Sequence, residues 1–385
     1  MNYDKKSLQL HKKKRGKIEI KSKVPLKTKD DLSVAYTPGV GAVSLAIDKN
    51  KNKSWELTNR ANQVAIISDG SAVLGLGDIG PEAAMPVMEG KAIIFKEFAG
   101  IDAIPLCINA KNVNEIVEFC KQIEPSFGGI NLEDIAAPKC FDIVSRLEKE
   151  LSIPIFHDDQ DGTAIVVLAA LINSCRVAKK DIKKLKIIIN GAGAAGIAVA
   201  RLLINQGIKN IILLDSRGTV HKKREDLNWA KKEIAKKTNK KQIIGGLIEA
   251  MEGADVFIGV SKGNLVSAEM IKVMNKNPII FAMANPIPEI MPDKAIKAGA
   301  GIIGTGRSDL PNQINNALVF PGLFRGLLDG KIKKITNDMK VAAAKAIADM
   351  VEPTRGKILP EITDKKAAQA VAGAIKQKEP DRFDV

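Results

Sequence analysis

Apolar positions along this chain gather in short continuous runs separated by longer stretches with helical spacing. The runs fall at 64–68, 103–108, 129–132 and 154–157, and again at 186–190, 210–214, 255–260, 278–284 and 301–304. Runs of this length without alternation read as strands buried on both faces. Helical patterns intervene at 81–98, 113–123, 138–151 and 162–176, and later at 228–237, 267–274 and 292–298. Strand and helix in turn predict an α/β fold whose sheets are mainly parallel. Three helices, at 315–328, 337–351 and 365–376, follow the last strand. At the other end, residues 1–30 are polar and basic and predict one helix with an extended arm after it. Pro38, Gly39 and Gly41 then place a turn directly after Tyr36, with a small-residue helix beyond. A chain of 385 residues favours two domains, divided near 159–162 into 1–160 and 161–385.

The stretch at 186–215 carries the most specific pattern. Gly191, Gly193 and Gly196 stand at G-x-G-x-x-G spacing, with Ala194 and Ala195 inside it, between a strand and a helix. The first glycine permits the tight turn, the second lets a pyrophosphate approach the backbone, and the third lets helix pack on strand. The helix start offers free N–H groups and a positive dipole end to phosphates. Asp215 ends the next strand, where an acid binds a ribose hydroxyl. The second domain is therefore expected to be a Rossmann-type, doubly wound dinucleotide-binding unit carrying the C-terminal helices.

Other polar residues fall where ligands collect in parallel sheets, beyond the carboxyl ends of strands. Glu133 and Asp134 follow the run at 129–132, and Asp158 and Asp159 follow the run at 154–157. Paired carboxylates without thiolates suit a hard cation such as Mg²⁺ or Mn²⁺, whereas helix capping is the plainer alternative, with Asp161 a natural cap for the helix at 162. Lys91 lies in the apolar stripe of the helix at 81–98, so it either snorkels at an edge or is buried. A buried lysine has a lowered pKa and serves as a general base. With three histidines in the chain an imidazole-rich metal site is excluded, and His157 reads as structural and hydrogen-bonded. Asn285 starts a turn or faces the ligand crevice; Asn315 and Asn316 are helix-start residues or amide donors to a carboxylate.

The net charge of +15 raises nucleic acid as a partner, but the lysines are scattered and only 4% of residues are aromatic, leaving few rings to stack bases. Cys107, Cys120, Cys140 and Cys175 form no C-x-x-C and lie in apolar segments, as reduced, mostly buried thiols of a cytoplasmic protein do. The longest apolar run, 164–172, is too short to span a bilayer, and no signal or transit peptide is visible.

Taken together, AYTPGVG (35–41), SDGSAVLGLGDIG (68–80), PVMEGKA (86–92), LEDI (132–135), FHDDQDGTA (156–164), the glycine turn at 191–196, ANP (284–286) and GRSDLPNQINNALVFPG (306–322) resemble the malic enzymes in their short microbial form. The resemblance implies oxidative decarboxylation of L-malate to pyruvate and CO₂, with a nicotinamide cofactor and Mg²⁺ or Mn²⁺. It makes Lys91 the general base, Tyr36 the group that helps protonate enolpyruvate, and Glu133, Asp134 and Asp159 the metal ligands, supported by Asp158. Asn285 and Asn316 become contacts to substrate and nicotinamide ribose. It further implies a homodimer in which Tyr36 reaches the partner's site, and a chain without the acyltransferase-like extension of some bacterial relatives.

Two points stand apart from the resemblance. Ala72 occupies the place of an arginine that binds substrate in the larger eukaryotic relatives, so the malate carboxylate must be held by other groups. Asp215 repels a 2′-phosphate and favours NAD, while Arg217 and Lys222 close by are candidates to admit NADP. Alternatives are a malolactic-type relative, an enzyme acting mainly on oxaloacetate, or a basic nucleic-acid-binding protein with an inherited dinucleotide fold.

Overall fold

A computed structural model describes residues 3–73, 75–110 and 112–378. The chain enters through four helices, α1 (Tyr3–Lys14), α2 (Lys29–Ala35), α3 (Val40–Lys49) and α4 (Ser54–Leu57), none of which buries a residue. The expected arm after α1 already turns helical at Lys29. Thr28 and Asp31 form a reciprocal capping box there, each side chain accepting from the other's backbone N–H.

The first sheet contains β1 (Gln63–Ser68), β2 (Asp102–Cys107), β3 (Gly129–Leu132) and β4 (Ile155–His157) in the order β2-β1-β3-β4, all parallel. The crossovers are α5 (Gly80–Ala99), α6 (Val113–Ile123) and α7 (Lys139–Glu150). From β1 the chain crosses to one side for β2 and to the other for β3. The loops after β1 and β3 thus diverge and leave a crevice at their carboxyl ends.

A single π-helical turn, Asp158–Gly162, joins β4 to α8 (Thr163–Ala178). Asp161 was expected to cap this helix but does not: the turn runs straight into α8, and Asp161 pairs with Lys340 instead, at 2.6 Å. Together, Asp158–Ala178 is long and apolar enough to cross a membrane by length and composition, which the shorter run 164–172 is not. Here, 67% of its apolar window is buried as the central helix of the protein.

The second sheet holds β5 (Lys186–Asn190), β6 (Asn210–Asp215), β7 (Gly218–Thr219), β8 (Val256–Gly259), β9 (Ile279–Ala282) and β10 (Ile302–Thr305). Its order is β10-β9-β8-β5-β6-β7, parallel throughout except for β7, a two-residue return strand that the sequence pattern does not reveal. The associated helices are α9 (Ala194–Asn205), α10 (Trp229–Ala235), α11 (Leu247–Met251), α12 (Ala268–Lys272) and α13 (Pro292–Lys297). The order reverses between β5 and β8, the doubly wound arrangement expected for the dinucleotide unit.

Three further helices, α14 (Phe320–Asp329), α15 (Asn337–Ala348) and α16 (Lys366–Lys376), complete the described chain. The helix expected at 315–328 is split, with a short 3₁₀ turn at Asn316–Leu318 before α14. Pro321 lacks an N–H and sits in the first turn of α14, where that loss is free. These helices return to the first sheet. Phe324 packs edge-on against Phe95 of α5 and Phe156 of β4, with ring centroids 5.4 and 5.8 Å away, and Phe320 stands 4.7 Å from Phe95. Buried Asn173 of α8 donates to the carbonyls of Ala348 and Ile358, tying α15 to the centre. Replacing Phe324 by alanine removes a fully buried ring at the seam between the C-terminal helices and the first sheet. A loss of about 3–5 kcal/mol is expected, read as a lowered urea midpoint.

Candidate active site

Lys91 resolves one of the alternatives left by the sequence. On α5 the buried positions are Ala84, Met88, Lys91, Ala92 and Phe95, a stripe at helical spacing with the lysine inside it. Its side chain is 8% exposed, so it does not snorkel. The ammonium bonds Asp158, meets Glu133 Oε1 at 2.7 Å and lies over the Phe320 ring, 4.5 Å from its centroid. Burial by itself pulls the ammonium's pKa down, but the Asp158 and Glu133 carboxylates outweigh it and hold Lys91 above the ordinary lysine range.

The two acidic pairs converge on this lysine from adjacent strand ends. Asp134 takes a left-handed backbone conformation, with φ at 53°, and its N–H donates to Asp159 Oδ2 at 2.8 Å. Glu133 also accepts from Asn131 at 3.0 Å. One oxygen each from Glu133, Asp134 and Asp159 lie within 4.8 Å of one another. Asp134 Oδ2 and Asp158 Oδ1 are buried and have no hydrogen-bond partner among the described residues. Burial and mutual repulsion push these acids up, Asp134 to about 8, Glu133 and Asp158 to about 7 and Asp159 to about 6. A group of buried hard oxygens with more negative charge than one ammonium offsets is the donor set that a divalent cation fits.

Behind them His157 is fully buried, and neither ring nitrogen has a hydrogen-bond partner among the described residues; Nδ1 stands 3.6 Å from Asp159 Oδ2. The expected hydrogen-bonded histidine is therefore not found. Burial holds its pKa down near 4, so the ring is neutral and adds no charge to the acids beside it.

A cleft of about 460 Å³ opens from these groups toward the second sheet. Lys91, Glu133, Asp134 and Asp159 line it together with Ala195, Ser261, Asn285, Asn315 and Asn316. Asn315 accepts from the N–H of Ala317 and so caps the 3₁₀ turn, leaving Asn316 as the amide of the pair without that duty. The loop after β1 closes on the second sheet at Gly75, where a Cβ would come within 2.5 Å of the Asn285 carbonyl. Ala72, in the same loop, donates its N–H to the Asp134 carbonyl at 2.9 Å.

The glycine turn behaves as its spacing predicts. A Cβ on Gly196 would lie 1.7 Å from the Gly191 carbonyl oxygen, so only glycine lets α9 approach β5. Gly193, just before Ala194 at the start of α9, faces open space. Asp215 ends β6 as expected, but its carboxylate is engaged. It accepts from Arg224 at 2.8 and 3.3 Å, from Lys231 at 2.6 Å and from the Arg217 N–H at 3.0 Å. The cations on Asp215 are thus Arg224 and Lys231; the Arg217 guanidinium turns to Asp226.

Of the glycine turn only Ala195 lines the cleft, Asp158 and Asp215 lie outside its lining, and Tyr36 stays away from it altogether. Tyr36 ends α2, is 65% exposed and is absent from the lining. Around it Leu32, Val34, Val40, Val43 and Leu45 are also exposed. Two contributors escaped the sequence reading. Glu289 is fully buried and accepts from the N–H groups of Ala284 and Ser261, fixing two lining segments. Phe320 caps the Lys91 ammonium, and its only sequence signal is membership of the 306–322 stretch.

Comparison with known proteins agrees with this geometry. A family model described as "Malic enzyme, N-terminal domain" matches residues 15–148, and one described as "Malic enzyme, NAD binding domain" matches residues 160–379. The chain is 51% identical to the bifunctional malic/malolactic enzyme of Bacillus subtilis over 97% of its own length and 92% of that protein's. It is 51% identical to the NAD-dependent malic enzyme of Geobacillus stearothermophilus, over 94% of this chain and 76% of that one. The crystal structure of the NAD-dependent malic enzyme of Thermotoga maritima superposes with a TM-score of 0.93 at 48% identity, covering 96% of this chain and 98% of the other. With both halves matched in order and the whole fold shared, the chain belongs to the malic enzyme family.

Proposed function

We propose that the chain oxidatively decarboxylates L-malate to pyruvate and CO₂ while reducing a nicotinamide cofactor. The observation that carries this reading is a buried lysine sharing one cleft with three convergent carboxylates and the dinucleotide turn. A Mg²⁺ or Mn²⁺ ion held by Glu133, Asp134 and Asp159 would neutralise those acids, draw Glu133 away from Lys91 and polarise a substrate carbonyl as a Lewis acid.

Asp158, which bonds the Lys91 ammonium, can take its proton, and the neutral amine accepts the one on the C2 hydroxyl. As that proton leaves, hydride passes from C2 to the nicotinamide and oxaloacetate forms. Breaking the C3–C4 bond releases CO₂ and leaves the enolate of pyruvate; Tyr36 protonates it at C3 and regains its proton from Lys91, so that the hydroxyl proton ends on the product. Asn285 and Asn316 orient the substrate carboxylate and the nicotinamide ribose, in place of a charge at Ala72. The cleft walls exclude water while the enol exists.

L-malate and Mn²⁺ are expected to support reduction of NAD, followed by absorbance of the reduced cofactor. Lys91→Ala should lower kcat by about 10²–10⁴-fold, the usual range for a general acid–base group. No reduction of NAD or NADP by the metal-loaded wild type would end this reading. Lactate accumulating without net reduced cofactor would instead favour the malolactic activity that the Bacillus subtilis relative carries in its name.

We further infer a homodimer in which the exposed apolar N-terminal segment covers the partner and delivers Tyr36 to its cleft. Six exposed apolar side chains within 14 residues, Leu32, Val34, Tyr36, Val40, Val43 and Leu45, support an interface there. Mixing inactive Tyr36→Phe and Lys91→Ala variants and letting them re-dimerise should restore activity, through the heterodimer cleft that contains both native groups. Mixtures that stay inactive would place Tyr36 in its own chain's site.

Arg224 and Lys231 cancel the charge by which Asp215 would repel a 2′-phosphate, so NADP is accepted beside NAD. Arg224→Ala should lower kcat/KM for NADP by about tenfold more than for NAD, since a hydrogen bond between charged partners contributes about 1.5–3 kcal/mol. An unchanged NADP-to-NAD ratio would show that this pair does not select the cofactor.

A further inference from the structure

We propose that Lys340 is a positioning residue for the divalent-cation site, acting through Asp161 on the turn that carries Asp158 and Asp159. The proposal rests on the metal-assisted reading above.

The π-helical turn Asp158–Gly162 sets three carboxylates in four consecutive positions. Such turns are rare, and they appear mostly at functional sites. This one has no slack. A Cβ on Gly162 would fall 1.9 Å from Asp158 Oδ1 and 3.1 Å from the Asn316 Cβ. Like charges packed so closely repel, so each acid needs its own partner. Asp158 has Lys91, Asp159 has the Asp134 N–H, and Asp161 has Lys340 Nζ at 2.6 Å. The last pair is 15% and 17% exposed, so it is little screened by water. Glu148 of α7 adds a further acid near both Lys340 and Asp161.

Lys340 sits on α15, which packs along α8 and is pinned to it through Asn173. The ion pair therefore ties the turn to a helix that carries no other part of the site. Without it the turn loses its hold on α15 and opens under the repulsion between the neighbouring Asp158 and Asp159. Asp159 then leaves the spacing it holds with Glu133 and Asp134. Electrostatics alone would act in the other direction, because an uncompensated Asp161 attracts a cation more strongly. The sign of the effect separates positioning from simple charge.

The test is direct Mn²⁺ binding, read from the paramagnetic resonance signal of free Mn²⁺, on wild type, Lys340→Met, Lys340→Arg, Asp161→Asn and the Lys340→Met/Asp161→Asn double variant. Bound NADH, read by its fluorescence, reports the integrity of the second sheet. Lys340→Met should bind Mn²⁺ about 10-fold or more weakly, the usual effect of losing an outer partner of a metal site, with NADH binding unchanged. Lys340→Arg should restore affinity. Asp161→Asn breaks the same tie and should weaken binding alike, and the double variant should cost no more than either single one. Should Lys340→Met fail to fold, Asp161→Asn and Lys340→Arg carry the comparison. Folded Lys340→Met or Asp161→Asn that binds Mn²⁺ as tightly as wild type, or more tightly, overturns the proposal. Wild type that binds no Mn²⁺ overturns the metal reading, and this proposal with it.

Discussion

One buried ammonium facing several buried carboxylates is the constraint on which the rest of this structure depends. Taking a charge out of water costs several kcal/mol unless it is paired and hydrogen-bonded. Lys91 has two acid partners, and the acids still outnumber it. Local oddities around the site make sense as responses to that excess. Asp134 adopts a positive φ and turns its N–H onto Asp159. His157 is the exception: the acids favour its charged form, but burial outweighs them and keeps the ring neutral. Asp134 Oδ2 and Asp158 Oδ1 remain buried without a hydrogen-bond partner among the described residues.

Strand order explains why the site lies between two sheets. Each sheet reverses its strand order once, and each reversal opens a crevice at strand carboxyl ends. In the first sheet the crevice receives the acids after β3 and β4. In the second it receives the glycine turn and Ser261. The Phe95, Phe156, Phe320 and Phe324 cluster locks the C-terminal helices onto the first sheet. This brings the ring of Phe320 over Lys91 and sets Asn316 in the same cleft as the acids. The apolar seam thereby acts on the chemistry, since it closes one wall of the cleft and dries the lysine.

Much of this was legible in the sequence because it depends on local spacing. Continuous apolar runs identified the parallel strands, since a strand covered on both faces has no polar side. The three glycines announced their roles because each is needed for close backbone approach within one βαβ unit. Lys91 stood out as a charge in an apolar stripe. Where the reading failed, the deciding partner was distant in sequence. Asp161 looks like a helix cap until Lys340, on α15, is seen to hold it. Asp215 looks like a free ribose acceptor until Arg224 and Lys231 close on it. His157 was expected to find a hydrogen bond, and burial left it without one.

By itself, then, the sequence determined the order of strands and helices, the dinucleotide turn and the identity of the candidate lysine and acids. Periodicity and steric demand operate over a few residues, so they are written locally. Tertiary structure alone decided that Lys91 is buried rather than snorkelling, that Asp158 pairs with it, and that Tyr36 is exposed outside the lining of its own cleft. Those outcomes depend on desolvation and charge pairing between segments distant in sequence, 67 residues apart for Lys91 and Asp158, and no local pattern encodes which charges will meet.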